Sequence, residues 1–212
     1  MYFVKTPRWL KEVYRNYVWD IPVREKKLFL SFDDGPHPVA TPFVLNELAK
    51  YNAKGTFFCI GRNVEAHPQI FTKVCKENHS VGNHTHNHLN GWKTSAKEYL
   101  ENVAEAGNHI HSRLFRPPYG RIKKQQGRSL LQQGFKVLMW DVLSGDFDKA
   151  IRPEKCLQNV VKSAKPGSIV VFHDSEKALA NLKFTLPRVL EHFSQQGYQF
   201  DAITENVVKG PE

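Results

Sequence analysis

Two adjacent carboxylates form the first group of potentially reactive side chains in this chain. Asp33 and Asp34 follow an apolar run and precede Gly35 and Pro36, a pair that is typical of a turn. Neighbouring carboxylates repel each other unless a cation or strong hydrogen-bond donors compensate. The pattern therefore indicates either a solvated turn or an acidic site at the end of a strand, and alone it does not separate the two.

Three histidines at alternate positions form the second group. His84 and His88, at i and i+4, would project to one side of a helical turn, whereas His84 and His86 would share one side of a strand. A histidine-rich surface patch is the remaining alternative. Joined to Asp34, the His84/His88 pair gives a two-histidine, one-carboxylate ligand set. Such a set leaves coordination positions open for water and substrate, as a catalytic metal site requires.

Two further stretches carry groups that could assist a reaction. Residues 116–120 read Arg-Pro-Pro-Tyr-Gly, a stiff turn in which Tyr119 and Gly120 could present backbone N–H groups to a ligand. The same turn would serve equally well as a rigid corner. His173 ends an apolar run, where a lone histidine is more often a structural residue than a catalyst. The functional interpretation of His173 is favoured only because the other clusters of reactive residues occur in the same chain.

The elements that position these residues follow from the hydrophobic pattern. Short apolar runs alternate with longer amphipathic segments, which predicts strand–helix units and a parallel sheet covered by helices. The predicted strands cover residues 27–32, 56–60, 80–83, 114–116, 135–140, 168–172 and 198–202. The predicted helices cover residues 41–51, 65–77, 94–112, 123–133, 153–164 and 182–196. The chain has 212 residues and no repeat or linker, so we expect one α/β domain over residues 27–212 and an N-terminal segment, 1–26, packing on or near it.

The placement of the polar clusters separates two architectures, an open doubly wound sheet and a distorted (β/α) barrel of about seven parallel strands. The clusters follow the first, third, fourth, fifth and sixth predicted strands. An open sheet binds ligands near its switch point, whereas a barrel builds its site from the loops after many strands. Several loops converging on one site therefore favour the barrel.

Taken together and in this order, the motifs resemble those of the polysaccharide deacetylase family, also called the NodB-homology family or carbohydrate esterase family four. They are FDDGP at residues 32–36, HTHNH at 84–88, RPPYG at 116–120, GDF at 145–147 and VVFHD at 170–174. The similarity covers about residues 27–204. It implies a distorted (β/α) barrel with fewer than eight strands. It also implies metal-dependent hydrolysis of the N-acetyl group of an N-acetylglucosamine-containing glycan, such as peptidoglycan, a chitin oligomer or a lipid-linked sugar.

The resemblance also implies a metal site. Asp34, His84 and His88 match the positions that bind a divalent metal, usually zinc, with cobalt or manganese serving in relatives. Two residues depart from the family's pattern. His86 occupies a position usually held by a non-ligand residue, where we interpret it as part of the groove rim or as a competitor for the metal. Phe147 stands where many relatives carry tryptophan, which concerns the wall of the acetyl pocket rather than the reaction.

The remaining roles concern proton transfer and charge stabilisation. By resemblance, Asp33 is the general base that takes a proton from the attacking water, and His173 is the general acid that protonates the departing amine. The backbone N–H of Tyr119 stabilises the tetrahedral oxyanion. Arg116 matches the residue that orients the base, and Asp146 matches the residue that pairs with the acid.

Composition narrows the partners. The net charge of +9 favours polyanions, but the basic residues are spread along the chain and no base-stacking aromatic pattern accompanies them. We therefore predict an acetylated amino-sugar glycan or oligosaccharide as partner, and no nucleic acid. Residues 1–20 are basic and aromatic, so a peripheral membrane contact is the less favoured alternative to packing on the barrel. The same stretch lacks the apolar core of a signal peptide, which predicts a cytoplasmic location unless a leader was trimmed or export follows another route.

Other activities stay open at this point. The same site would suit an O-acetyl esterase acting on xylan-like sugars, or a hydrolase of small cyclic amides. A silent carbohydrate-binding protein on the same scaffold is disfavoured, because every metal and acid–base position is filled.

Overall fold

The computed structural model describes residues 2–208, which contain eight strands. They are β1 (Lys27–Asp33), β2 (Thr56–Cys59), β3 (Ser80–Asn83), β4 (Leu114–Phe115), β5 (Lys136–Val137), β6 (Val142–Leu143), β7 (Ile169–His173) and β8 (Gln199–Phe200). Seven of them form a parallel sheet in the order β5-β4-β3-β2-β1-β7-β6, and β8 pairs with the start of β1. This sheet curls into a half-barrel, so the predicted distorted (β/α) barrel of about seven parallel strands is confirmed.

Eight α-helices are present in the same part of the chain. They are α1 (Arg8–Val13), α2 (Ala40–Lys50), α3 (Gly61–Ala66), α4 (Pro68–Lys76), α5 (Ala96–Gly107), α6 (Lys124–Gln132), α7 (Pro153–Ser163) and α8 (Leu179–Gln195). The single helix predicted over residues 65–77 is two helices, because Pro68 lacks an N–H and starts a new helix at its first position. No helix within residues 2–208 has both the length and the apolar character that crossing a membrane requires.

Seven strands form the main parallel order, the number that was predicted, but one of the seven is not a predicted strand. The strand predicted over 135–140 is only β5, and β6 was not predicted at all. Each pairs with a neighbour over two residues, which is too short for an alternating pattern to be visible in the sequence. The strand predicted over 198–202 is β8, which lies beside the main order rather than within it.

Alternation along β1 determines which side chains face the interior of the half-barrel. Leu28, Leu30 and Phe32 belong to the large hydrophobic core that includes residues of α2 and α8. Phe29 lies on the opposite face, in a second core with residues of β2, β4 and β7. Because successive side chains of a strand point to opposite faces, Asp33 shares the inner face with Phe29.

The N-terminal segment runs between β5 and β6, the two ends of the strand order. Lys5 forms an antiparallel bridge with Val142 of β6, and Val18 forms a parallel bridge with Leu138, directly after β5. Backbone hydrogen bonds accompany both contacts. The segment thus pairs with both open edges of the half-barrel.

A buried ion-pair cluster attaches this segment to the barrel. The Asp141 side chain is fully buried, and it accepts hydrogen bonds from Lys5 and, at 2.6 Å, from Lys11. Ser168 donates a further hydrogen bond, of 2.6 Å, to the same carboxylate. Burial alone would raise the pKa of Asp141, but the two lysines and Ser168 outweigh it and keep this pKa below its usual range.

Candidate active site

The parallel pairing of β1 with β7 brings two of the predicted site residues side by side. Asp33 and His173 are register partners at the carboxyl ends of these strands. The backbone N–H of Asp174 donates to the carbonyl oxygen of Asp33, which fixes the two strand ends relative to each other. A carboxylate and an imidazole therefore face the same end of the half-barrel.

Asp34, His84 and His88 meet next to this pair. Nε2 of His88 lies 3.1 Å from Oδ1 of Asp34, and Nε2 of His84 lies 3.6 Å from the same oxygen. One ligand atom from each residue falls within 4.8 Å of the others. A metal about 2.0–2.2 Å from each of these atoms is compatible with such spacing.

The protonation of His84 suits a metal ligand. Its Nδ1 lies 2.8 Å from the carbonyl oxygen of Arg116, which can only accept a hydrogen bond. Nδ1 therefore carries the proton, and Nε2 directs its lone pair at Asp34. Burial lowers the pKa of His84 to about 4, so the ring is neutral at pH 7. Burial would raise the pKa of Asp34, but the hydrogen bond from His88 and nearby imidazoles keep it well below its usual range.

The backbone that brings the two histidines together is not the helical turn that the i, i+4 spacing suggested. Residues 84–88 form an irregular loop after β3, and both Thr85 (φ 63°) and His88 (φ 57°) have left-handed backbone conformations. Such values are uncommon outside glycine and are typical of functional sites. Asn83 and Asn102 accept backbone N–H groups of this loop. The competing pair His84/His86 is separated, because the His86 side chain lies near Glu65 and Glu105 instead.

Asp33 is paired with an arginine that has no exposed surface. Nη1 of Arg116 donates to Oδ1 of Asp33 at 2.7 Å and to the hydroxyl of Ser31 at 2.8 Å. The other guanidinium nitrogens donate to the carbonyl oxygens of Leu138 and Met139. A guanidinium bonded on all sides has a fixed position, so the orientation of the Asp33 carboxylate is fixed with it.

His173 is paired with Asp146, which is fully buried. Nδ1 of His173 donates to Oδ1 of Asp146 at 2.8 Å, and the His173 backbone N–H donates to Oδ2, also at 2.8 Å. Burial lowers the pKa of His173, but Asp146, with smaller contributions from Asp34 and Asp33, outweighs burial and raises this pKa to about 9. The ring is therefore a protonated acid at neutral pH, with Nε2 free of the Asp146 contact.

Tyr119 and Phe147 border the two halves of the site. The Tyr119 ring packs on His88 with a centroid distance of 4.6 Å, and its backbone is left-handed at φ 61°. The Phe147 ring packs edge-on against His173 at 5.0 Å. Tyr119 thus lies beside the candidate metal site, and Phe147 forms a wall beside the imidazole of His173.

The sequence did not indicate how the Asp33–Asp34 turn is supported. The carboxylate of Asp174 accepts the backbone N–H of Gly35 at 3.1 Å, and a Cβ on Gly35 would lie 2.1 Å from Oδ2 of that carboxylate. Asn63 at the start of α3 donates to the carbonyl oxygen of Asp34 at 2.7 Å. Asp174 was visible as the last residue of its motif, whereas nothing local marks Asn63 as a support of this turn.

The fold and the site are those of a (β/α)-barrel protein with a candidate metal site at the carboxyl ends of its strands. A curled parallel half-barrel places two imidazoles and a carboxylate at metal-binding distances, with a second carboxylate and a third imidazole beside them. Proteins of this architecture build their sites at the carboxyl ends of the strands.

Comparison with known proteins identifies the family. The model of the polysaccharide deacetylase family matches residues 20–138. A peptidoglycan-N-acetylglucosamine deacetylase of Bacillus cereus is 36% identical over 195 residues, which cover 88% of this chain and 91% of that protein. The chain therefore belongs to the polysaccharide deacetylase family.

Two further relatives broaden the comparison. A chitooligosaccharide deacetylase of Azorhizobium caulinodans is 34% identical over 164 residues, covering 73% of this chain and 76% of that protein. The crystal structure of a peptidoglycan N-acetylglucosamine deacetylase in complex with 4-naphthalen-1-yl-N-oxidanyl-benzamide superposes with a TM-score of 0.85. It shares 28% identity and covers 94% of this chain and 95% of the other.

Proposed function

We propose that this protein hydrolyses the N-acetyl group of N-acetylglucosamine residues in a glycan, with peptidoglycan as the favoured substrate. The observation that carries the proposal is the pair of proton-transfer groups, Asp33 and His173, beside the Asp34–His84–His88 cluster. Each has its own buried partner, Arg116 or Asp146. Relatives named as peptidoglycan-N-acetylglucosamine and chitooligosaccharide deacetylases support the substrate class.

The cluster of Asp34, His84 and His88 would bind a divalent metal. Two neutral imidazoles and one carboxylate are the donors of catalytic zinc sites, so zinc is the ion that we propose, with cobalt or manganese as substitutes. A bound divalent ion lowers the pKa of water to about 7 and polarises a carbonyl oxygen. The fixed Nδ1–H of His84 supports this assignment, because it leaves Nε2 as the donor atom.

Asp33 would act as the general base. Its Oδ1 is bonded to Arg116, so Oδ2 is the oxygen that can accept the proton of the attacking water. Arg116 keeps the carboxylate in one orientation. Because the Arg116 side chain is fully buried, it cannot turn away from Asp33 to solvent. An amide is a poor electrophile, so a base positioned at the nucleophile is needed near neutral pH.

His173 would act as the general acid, and Tyr119 would stabilise the intermediate. An amine leaves only when protonated, which requires an acid distinct from the base. The imidazolium of His173 meets that requirement, since Asp146 raises its pKa to about 9. The backbone N–H of Tyr119 would donate to the oxyanion that forms as water adds to the carbonyl.

The test compares N-acetylglucosamine oligomers with O-acetylated xylan as substrates of the zinc-loaded protein. We expect acetate and free amines from the first substrate, and a rate lowered about 100- to 10,000-fold in Asp33→Asn. Asp201→Asn is the matched control, because Asp201 pairs with Lys27 at the opposite end of β1. Acetate from xylan alone would move the assignment to an esterase, and an active Asp33→Asn variant would overturn the role of the base.

A further inference from the structure

A second group of metal-ligating side chains lies outside the site described above. Glu65 of α3, His86 of the loop after β3, and His109 after α5 each offer a ligand atom within 4.8 Å of the others. Glu105 of α5 is the next carboxylate, with Oε1 3.5 Å from Nε2 of His86. We propose that these four residues, named here the α3–α5 cluster, bind a second divalent ion of the zinc type.

The distances from His86 to the two carboxylates fit ligands that surround an ion better than direct hydrogen bonds. Nε2 of His86 lies 3.5 Å from Glu105 and 3.9 Å from Glu65, beyond the usual 2.7–3.2 Å range of an N–H···O bond. Two ligands of a tetrahedral zinc, each about 2.0–2.1 Å from it, are about 3.3 Å apart. His109 and Glu65 already touch at 2.7 Å, and both are partly exposed, so small rotations reach that spacing.

The environment of His86 is the independent observation. Its side chain is only 9% exposed, and its buried Nδ1 has no hydrogen-bond partner among the described residues. A buried imidazole is ordinarily oriented by hydrogen bonds, so this ring lacks the support that His84 and His173 have. Nε2 is the ring atom that faces the two carboxylates, so an ion bound there would hold the ring in one orientation, with the proton on Nδ1, which lies against Gly61. The two carboxylates of the α3–α5 cluster also match the charge of a divalent ion when both imidazoles are neutral.

An ion at the α3–α5 cluster would join three elements that border the active site. The backbone N–H of Gly61, at the start of α3, donates to the carbonyl oxygen of Thr85, and Asn63 donates to that of Asp34. The helix α3 thus contacts both backbone segments that carry the candidate catalytic ligands. A structural ion between α3, α5 and the loop carrying His86 would therefore stabilise the backbone of the His84–His88 loop.

The test counts zinc by mass spectrometry of the metal after dialysis of the whole protein against buffered free zinc. We expect two equivalents in the wild type, one in His109→Ala, and one in Asp34→Asn. His111→Ala, which removes an exposed histidine two residues further on, should retain two. Glu65→Gln, expected to retain one, is the second variant in case His109→Ala does not fold.

Thermal unfolding gives a second readout that does not depend on activity. Zinc at about 100 times its dissociation constant should raise the Tm of Asp34→Asn by about 5–10 °C, and it should not raise that of the Asp34→Asn/His109→Ala double variant. A wild type that retains one equivalent, lost in Asp34→Asn, would show that the α3–α5 cluster is a set of ion pairs only. Two equivalents in His109→Ala would overturn the proposal equally. A count unaffected by Asp34→Asn would instead overturn the catalytic site, so the two failures are distinguishable.

Discussion

Replacing Asp146 by asparagine tests the electrostatics of the proposed acid. The carboxylate touches His173 at both its ring Nδ1 and its backbone N–H, and it raises the pKa of the ring to about 9 although burial lowers it. An asparagine has nearly the same shape but no charge, and its amide would donate to Nδ1. Asp34 and Asp33 also raise this pKa and remain in the variant, but burial opposes them. With the main cause of the increase removed, the pKa should fall toward about 6.5, the ordinary value of a histidine, and a fall to that value is a change of about 3.4 kcal/mol between the two protonation states.

The expected loss of rate follows from the sign of this change. The raised pKa keeps His173 mostly protonated at every pH below about 9. Without Asp146, the protonated form of His173 would be lost as the pH rises through about 6.5. At pH 8 the protonated fraction would fall from about 0.9 to about 0.03, which lowers the rate by about 30-fold.

Nuclear magnetic resonance titration of labelled histidines measures this pKa directly, with His173→Gln to assign the signal. The titration uses protein from which a chelator has removed the metal, because a bound divalent ion would itself lower the pKa of a nearby imidazolium. Asp148→Asn is the matched control in the same loop, since Asp148 accepts a hydrogen bond from Tyr2 rather than from His173. A pKa that stays near 9 in Asp146→Asn, or one that falls equally in Asp148→Asn, would show that Asp146 does not set the protonation of His173.

Three further changes test other parts of the structure. Arg116→Met leaves the Asp33 carboxylate buried without its partner. It should lower the free energy of unfolding, measured by urea denaturation, by about 3–5 kcal/mol. A loss below about 1 kcal/mol would contradict the pairing. Gly35→Ala places a Cβ 2.1 Å from the carboxylate of Asp174 and should weaken zinc binding about 10- to 100-fold by calorimetry, whereas unchanged affinity would show that the turn does not position the ligand. Asp141→Asn should lower the free energy of unfolding by about 3–5 kcal/mol at pH 7. Because the folded pKa of Asp141 is depressed, its contribution is present above the unfolded value and lost as the pH falls through the folded one. The gap to the wild type should therefore shrink below about pH 4, and a gap independent of pH would contradict this.

The sequence was sufficient to predict the class of fold and the ends of the strands that carry chemistry. Asp33, Asp34 and His173 each follow an apolar run long enough to indicate a strand, and parallel strands bring their carboxyl ends to one edge. The meeting of Asp34 with His84 and His88 was predictable from residue types and motif order. These features depend on local patterns that survive in any parallel arrangement.

Other features depend on tertiary contacts and left no local pattern. The strand β6 has two residues, and its pairing depends on β7 and on the N-terminal segment. The i, i+4 spacing of His84 and His88 wrongly suggested a helical turn, because the left-handed residues of this loop are supported by Asn83 and Asn102. Arginine is almost never fully buried unless it is paired, and Arg116 is fully buried. No local pattern marks Asp33 as its partner, so this pairing was predicted only from the family resemblance.

The metal dependence of acetate release from N-acetylglucosamine oligomers tests most directly whether the protein is a metal-dependent deacetylase. The protein is assayed after a chelator has removed its metal and again after zinc has been added back. The Asp34→Asn variant is treated in the same way. We expect that removal of the metal abolishes release, that zinc restores it in the wild type, and that zinc does not restore it in the variant. Full activity after chelation, or recovery of Asp34→Asn with zinc, would contradict a metal-dependent deacetylase built on Asp34, His84 and His88.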